Sequence, residues 1–215
     1  MYAASASDVD RLAGRRPAFQ GVHAVAPGAV RPIRLIVLHC SATPNARTLF
    51  SGKSGTPGFR DPAMEIDAWH AARGFRRDTY WRGRQNAALK AIGYHYVVAR
   101  NGALFTGRHE DEPGAHAEGW NQPSLGICLV GTDRYTEPQW RALHALVGGL
   151  CARLGIPAEP AALAEAAGKR RIIRPGVCGH RDLPGVAKAC PGFDVAAWLA
   201  GGMAPLDGHV DEART

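Results

Sequence analysis

Three features of this sequence predict an α/β fold: a single domain with a central mixed β-sheet flanked by helices. A continuous apolar run, Leu35 to Leu38, is entered from Arg34 and ends on His39, the pattern of a strand covered on both faces. Between Thr136 and Leu154 the chain carries a capping-box pair and a broad apolar stripe, as expected of a helix laid across a sheet. Asn101-Gly102, between two strand-like runs, signals a tight reversal, so one strand pair is antiparallel and the sheet is mixed.

Taken in order, residues 34–39 form the first strand and put His39 at its C-terminal end, where open sheets usually place ligands. Asp61 is suited to cap a helix, Pro62 to its first turn and Gly74 to its stop, with Ile66, Trp69 and Arg73 on one face. The basic and aromatic stretch that follows has no clean period and reads as a loop with a short helix. A second strand runs from Gly93 to Ala99, and Leu104-Phe105 returns after Asn101-Gly102. A third strand, Ser124 to Val130, ends at Gly131. In the helix after it, Thr136 is the cap, Gln139 completes the capping box, and Leu143, Leu146, Val147, Leu150 and Leu154 make the stripe. Residues 156–169 allow a loop or one short helix, Arg171 to Arg174 a brief last strand, and Phe193 to Ala200 a closing helix. The expected sheet therefore has four or five strands.

A chain of 215 residues with 46% apolar content suits one domain with a real core, and argues against disorder throughout. Residues 1–30 are expected to be an N-terminal extension, 31–201 the domain, and 202–215 a flexible C-terminal tail. The Gly/Ser/Thr/Pro segment from Phe50 to Pro62 also has a flexible composition. No window approaches the length of a membrane span, so stable membrane insertion is not expected, and Met1 to Asp10 lacks the basic and apolar pattern of a secretory leader. With 26 basic against 19 acidic residues, the +7 charge favours polyanions without identifying one. Activity on an anionic polymer should therefore fall as salt rises.

Five cysteines do not make a disulfide framework in a chain this long. Cys40, Cys128 and Cys151 lie in apolar runs and read as buried thiols, whereas Cys190 has polar neighbours and a following proline. His-Glu-x-x-His is absent, and Gly52-Lys53-Ser54 lacks the glycine and the strand that a phosphate loop needs. What remains is a sparse polar set at element ends: His39, Tyr94 with His95, His116, His180, Lys188 and Cys190. Imidazole and thiolate together suit tetrahedral zinc, and three protein ligands leave a position open for hydrolysis.

Several stretches carry a family resemblance: His39-Cys40-Ser41-Ala42-Thr43, Ile66 to His70, Gly93-Tyr94-His95-Tyr96 and Arg100-Asn101-Gly102. It continues through Gly114 to Ala117, Gly119-Trp120-Asn121, Ser124 to Gly131, His180, and Lys188 to Asp194. In this order they resemble the zinc-dependent N-acetylmuramoyl-L-alanine amidases, a family that includes the lysozyme-named amidases of T7-like phages and is related to peptidoglycan recognition proteins. The likeness spans roughly residues 33 to 200.

The resemblance implies one Zn2+ per chain, held by His39, His180 and Cys190. It implies Tyr94 and Lys188 as catalytic groups, the lysine facing the developing oxyanion, and His116, Trp69, His70 and Asn121 as residues of the substrate cleft. Other branches carry a glutamate in the strand where this chain has Cys128, a departure that favours the phage-like branch and leaves the role of Tyr94 as either orienter or proton carrier. The implied partner is bacterial peptidoglycan, cut between N-acetylmuramic acid and L-alanine by a phage or prophage endolysin. Such an enzyme would be cytoplasmic in its producing host until a separate holin admits it to the wall. A monomer is expected, and nucleic acid is not expected as a partner. RNA polymerase, a second partner of some phage relatives, is possible but has no motif here. A binding module without catalysis would share the fold, but retention of both histidines, Cys190, Tyr94 and Lys188 argues against it. Extra length relative to compact phage members falls at Ala46 to Arg60 and Ala158 to Arg170.

Overall fold

A computed structural model describes residues 31–212 of the chain. The N-terminal extension expected over residues 1–30 lies outside the described residues.

The apolar run becomes strand β1, Leu35–Cys40, and sits inside a five-stranded sheet. It pairs in parallel with β4, Ser124–Leu129, on one side and with β7, Gly176–Gly179, on the other. Strand β2, Tyr96–Val98, runs parallel to β4, and β3, Leu104–Thr106, returns antiparallel beside β2. The order β3-β2-β4-β1-β7 is thus a mixed sheet, as predicted.

The two faces divide by the two-residue period of strands. Ile36 and Leu38 of β1 join Leu125, Ile127 and Leu129 of β4 in one core, covered by helix α3, Glu137–Leu154. Thr136 and Gln139 form the capping box at its start, and Gly155 closes its end in the left-handed conformation. The opposite face takes Leu35, Val37 and Cys128, with the helix α1, Pro62–Ala72, packed on it. Asp61 caps α1 by accepting from Met64 N. The core-facing side of α1 is Ala63, Ile66 and His70, while Ile66, Trp69 and Arg73 line a cleft beside it. The short helix after α1 is α2, Thr79–Arg84.

Three expectations are corrected. Residues 156–169 hold neither a plain loop nor a helix: β5, Ala162–Ala166, and β6, Lys169–Arg174, form a separate antiparallel hairpin. Arg171 to Arg174 is a strand as expected, but as part of β6 it lies outside the main sheet, whose last strand in the chain is β7. The segment expected as a flexible tail from 202 is ordered against the core as far as Asp211. Met203, Leu206 and Val210 pack on it, Val210 bridges to Tyr135, and Asp211 pairs with Arg100 at 2.7 Å. These residues pack against the cluster that holds Trp198 and Leu199 of the closing helix α4, Val195–Ala200. Cys40 is only partly buried and touches Cys190, so it is not an inert core thiol like Cys128 and Cys151.

Among the described residues, no helix is long and apolar enough to cross a membrane.

Candidate metal centre

Parallel pairing brings the first two candidate ligands together. Leu38 is in register with Gly179, so the next residues, His39 and His180, leave adjacent strands side by side. Their rings lie 4.6 Å apart, centre to centre. His180 opens a 3₁₀ turn, His180–Asp182, fixed by a 2.7 Å bond from Gly179 N to the Asp182 carboxylate. Cys190 comes back over the strand ends: its carbonyl accepts from Arg181 N at 2.8 Å, and its Sγ accepts from Cys40 N at 3.2 Å. Gly192 permits this return, because it has φ +94° and a Cβ there would overlap the Thr132 carbonyl.

One donor atom each from His39, His180 and Cys190 lies within 4.8 Å of the others. The Cys190 Sγ stands 3.8 Å from His39 Nδ1. In tetrahedral zinc sites nitrogen and sulfur ligands lie about 2.0 and 2.3 Å from the ion, which sets them roughly 3.5 Å apart. The trio can therefore hold a metal ion with small adjustments. Burial, with like charge from His116, His180 and Lys188, pushes the His39 pKa well below its usual value; burial and Lys188 bring His180 down to about 4. Both imidazoles are thus neutral and free to donate lone pairs. The side-chain contact with the Cys40 thiol, together with burial, pushes the Cys190 thiol up, and the Cys40 N–H bond to the sulfur only partly offsets this. A bound cation would favour its thiolate.

The remaining predicted residues fall at graded distances. The Tyr94 ring is 5.1 Å from that of His39, in the wall of the same cleft. Burial and neighbouring thiols push its phenol well above the usual tyrosine value, so Tyr94 can donate a hydrogen bond but is unsuited to act as a free base. Lys188 lies on the exposed loop between the two cleft lobes and lowers the pKa of both histidines through its charge. Trp69 and His70 line the cleft, but His70 also accepts from Gly93 N at 2.9 Å, tying α1 to the segment that carries Tyr94. Asn121 borders the outer lobe, and its side-chain oxygen accepts from the backbone of both His116 and Ala117 at 2.8 and 2.9 Å. His116 approaches His39 itself, Nδ1 to Nε2, at 3.0 Å. His95 belongs elsewhere: it is buried, accepting from Gly126 N at 3.0 Å and bonded through Nε2 to the Glu112 carbonyl at 2.9 Å.

Sequence reasoning missed Cys40, Ser124 and Gly126 as residues of this site. A signal existed in Ser124 to Leu129: at alternate positions it reads Ser, Gly, Cys on the face shared with His39, and Leu, Ile, Leu on the other.

A family profile for N-acetylmuramoyl-L-alanine amidases matches residues 29–193. The chain is 29% identical over 171 residues to the endolysins of Enterobacteria phage T3 and Escherichia phage T7, covering 76% of this chain and 83% of each of those. Among solved structures, the N-acetylmuramoyl-L-alanine amidase LysC from Clostridium intestinale aligns with a TM-score of 0.51 at 22% identity, covering 79% of this chain and 86% of that one. The last match speaks to the fold alone.

Proposed function

The chain belongs to the N-acetylmuramoyl-L-alanine amidase family, and from this premise we propose that it cleaves the amide between N-acetylmuramic acid and L-alanine in peptidoglycan, with one zinc ion held by His39, His180 and Cys190. The observation that carries the reading is the convergence of two neutral imidazoles and one thiol at the C-terminal ends of β1 and β7, in the floor of a cleft. Two nitrogens and a sulfur favour zinc over the hard, oxygen-seeking Mg2+ or Ca2+. Bound there, the ion would supply Lewis-acid polarisation of the scissile carbonyl and of a water.

The chain's own groups do the rest. His39 and His180 bring no charge and Cys190 brings one negative charge, so the loaded site keeps a net charge near +1. Lys188 adds a second positive charge at the cleft edge, where it would stabilise an oxyanion developing on the carbonyl. Tyr94, kept neutral, offers its hydroxyl as a donor that orients the reacting groups. Trp69 and Arg73 form one wall of the cleft. Similarity to phage endolysins supports an endolysin role, in which the chain is made in the host cytoplasm and reaches the wall through a separate holin.

Purified peptidoglycan incubated with the protein should yield peptides with a free L-alanine amino group and glycans that keep intact muramic acid, read by mass spectrometry. A chelator should stop the reaction and added zinc restore it. Cuts between sugars or within the peptide would overturn the assignment. Lys188→Met should lower kcat about 10²-fold, the scale seen when one oxyanion donor is removed, while zinc content stays that of the wild type. An unchanged kcat would remove Lys188 from the mechanism.

A further inference from the structure

We propose that His116 is a positioning residue that fixes the tautomer and ring plane of His39, and that it does so as the middle of a one-directional hydrogen-bond chain ending at the Trp120 carbonyl. The inference rests on His39 being a metal ligand, as proposed above.

The direction of each link follows from the one before. The Nδ1 of His39 faces Cys190 Sγ, so it is the atom with a lone pair to offer a metal ion. A neutral imidazole that keeps Nδ1 bare carries its hydrogen on Nε2, and Nε2 lies 3.0 Å from His116 Nδ1. The His116 Nδ1 must then accept, which puts the hydrogen of this second ring on its own Nε2. That atom faces Ser124 Oγ at 3.5 Å, the longest link, and Ser124 passes the direction on by donating to the Trp120 carbonyl at 2.6 Å. Since that carbonyl can only accept, the chain cannot run backwards. The opposite tautomer of His39 would set two acceptors, or two donors, against each other somewhere along it.

Packing holds the middle ring still. A Cβ at Gly126 would lie 2.5 Å from His116 Cδ2, and one at Gly114 would overlap the same ring edge. His116 therefore sits in a slot between two glycines, and the side-chain oxygen of Asn121 pins its backbone. With both ring nitrogens engaged inside the protein, His116 has no donor or acceptor left over for a substrate. Metal-binding histidines commonly have the second nitrogen held in this way, and loss of the partner weakens metal binding about 10- to 100-fold.

The test compares wild type, His116→Ala, His116→Asn and Gly126→Ala by three readouts. Histidine ¹⁵N shifts of the metal-free protein report the His39 tautomer. Competition with a chromogenic chelator reports zinc affinity, and kinetics separate kcat from KM. Wild type should show a single Nε2–H tautomer for His39. His116→Ala should mix the tautomers and weaken zinc binding about 10- to 100-fold, with KM within twofold of wild type. His116→Asn, whose side-chain oxygen can replace Nδ1 as acceptor, should recover most of the affinity, and Gly126→Ala should resemble His116→Ala. Wild-type affinity and tautomer in His116→Ala with a raised KM would make His116 a substrate contact and overturn the proposal. Equal losses in the alanine and asparagine variants would also overturn it, since the acceptor would then not matter. If the wild-type protein fails to cut the muramoyl amide, the proposed substrate bond falls, while tautomer and affinity still decide the role of His116.

Discussion

Replacing Cys190 with alanine is expected to strip the protein of its metal and to lower amide hydrolysis at least about 10³-fold, the several kcal/mol that a Lewis acid contributes to charge stabilisation. The thiolate is the one anionic donor in the trio, so the variant leaves two neutral imidazoles, of which only His39 is fully buried. Cys190→Asp keeps an anionic donor that zinc accepts and should retain part of both binding and rate. A pH signature separates the two ligands. The wild-type thiol is pushed up by Cys40 and by burial, so loading the site must expel a proton, and zinc affinity should rise about tenfold per pH unit near neutrality. In Cys190→Asp the carboxylate is already ionised there, and that dependence should flatten. Metal content after gel filtration, with chelator competition across pH, checks both. Stoichiometric zinc and full activity in Cys190→Ala would remove Cys190 from the ligand set.

Much of this fold was readable because its signals are local. The apolar run of β1, the Asp61-Pro62 helix start, the Asn101-Gly102 turn and the Thr136–Gln139 box each act within a few residues, and each stands where expected. The elements that escaped notice depend on partners distant in sequence. Strand β7 is only Gly-Val-Cys-Gly and is a strand because β1 pairs with it. Of the β5–β6 hairpin only Arg171 to Arg174, which carries Ile172 and Ile173, was legible as a strand; its partner, Ala-Leu-Ala-Glu-Ala, favours no strand on its own. The segment after Gly201 has a small-residue composition that masks Met203, Leu206 and Val210 as anchors. At the site, spacing alone could not bring His39 next to His180, since that adjacency comes from strand register; family resemblance named both. Resemblance also put His116 in the substrate cleft; its side chain lines that cleft, while both its ring nitrogens make contacts within the protein.

Glu112→Ala is expected to cost about 3–5 kcal/mol of stability, the range for breaking a buried ion pair from one side. Glu112 is 1% exposed, and its carboxylate accepts from Arg77 Nη2 at 2.7 Å and forms an ion pair with Arg108 Nη1 at 3.1 Å. Neither guanidinium can move to water without loss. Arg77 also donates to the carbonyls of Gln85, Asn86 and Leu89, and Arg108 to those of Arg76, Ile92 and Pro113. Removing this carboxylate takes the paired counter-charge from two buried cations that already hold the backbone together. Packing is a competing explanation, and the double variant Arg77→Met with Glu112→Leu separates the two. If charge is the cause, the pair of apolar replacements should cost less than the sum of the single variants, measured by denaturant midpoints. The same experiment tests how stability and function are divided here. Glu112 sits in the loop that leads to His116 but touches no residue of the metal trio, so the folded fraction of Glu112→Ala should bind zinc as wild type does. A loss under 1 kcal/mol would mean that water reaches this cluster and that the loop is held by its backbone bonds alone.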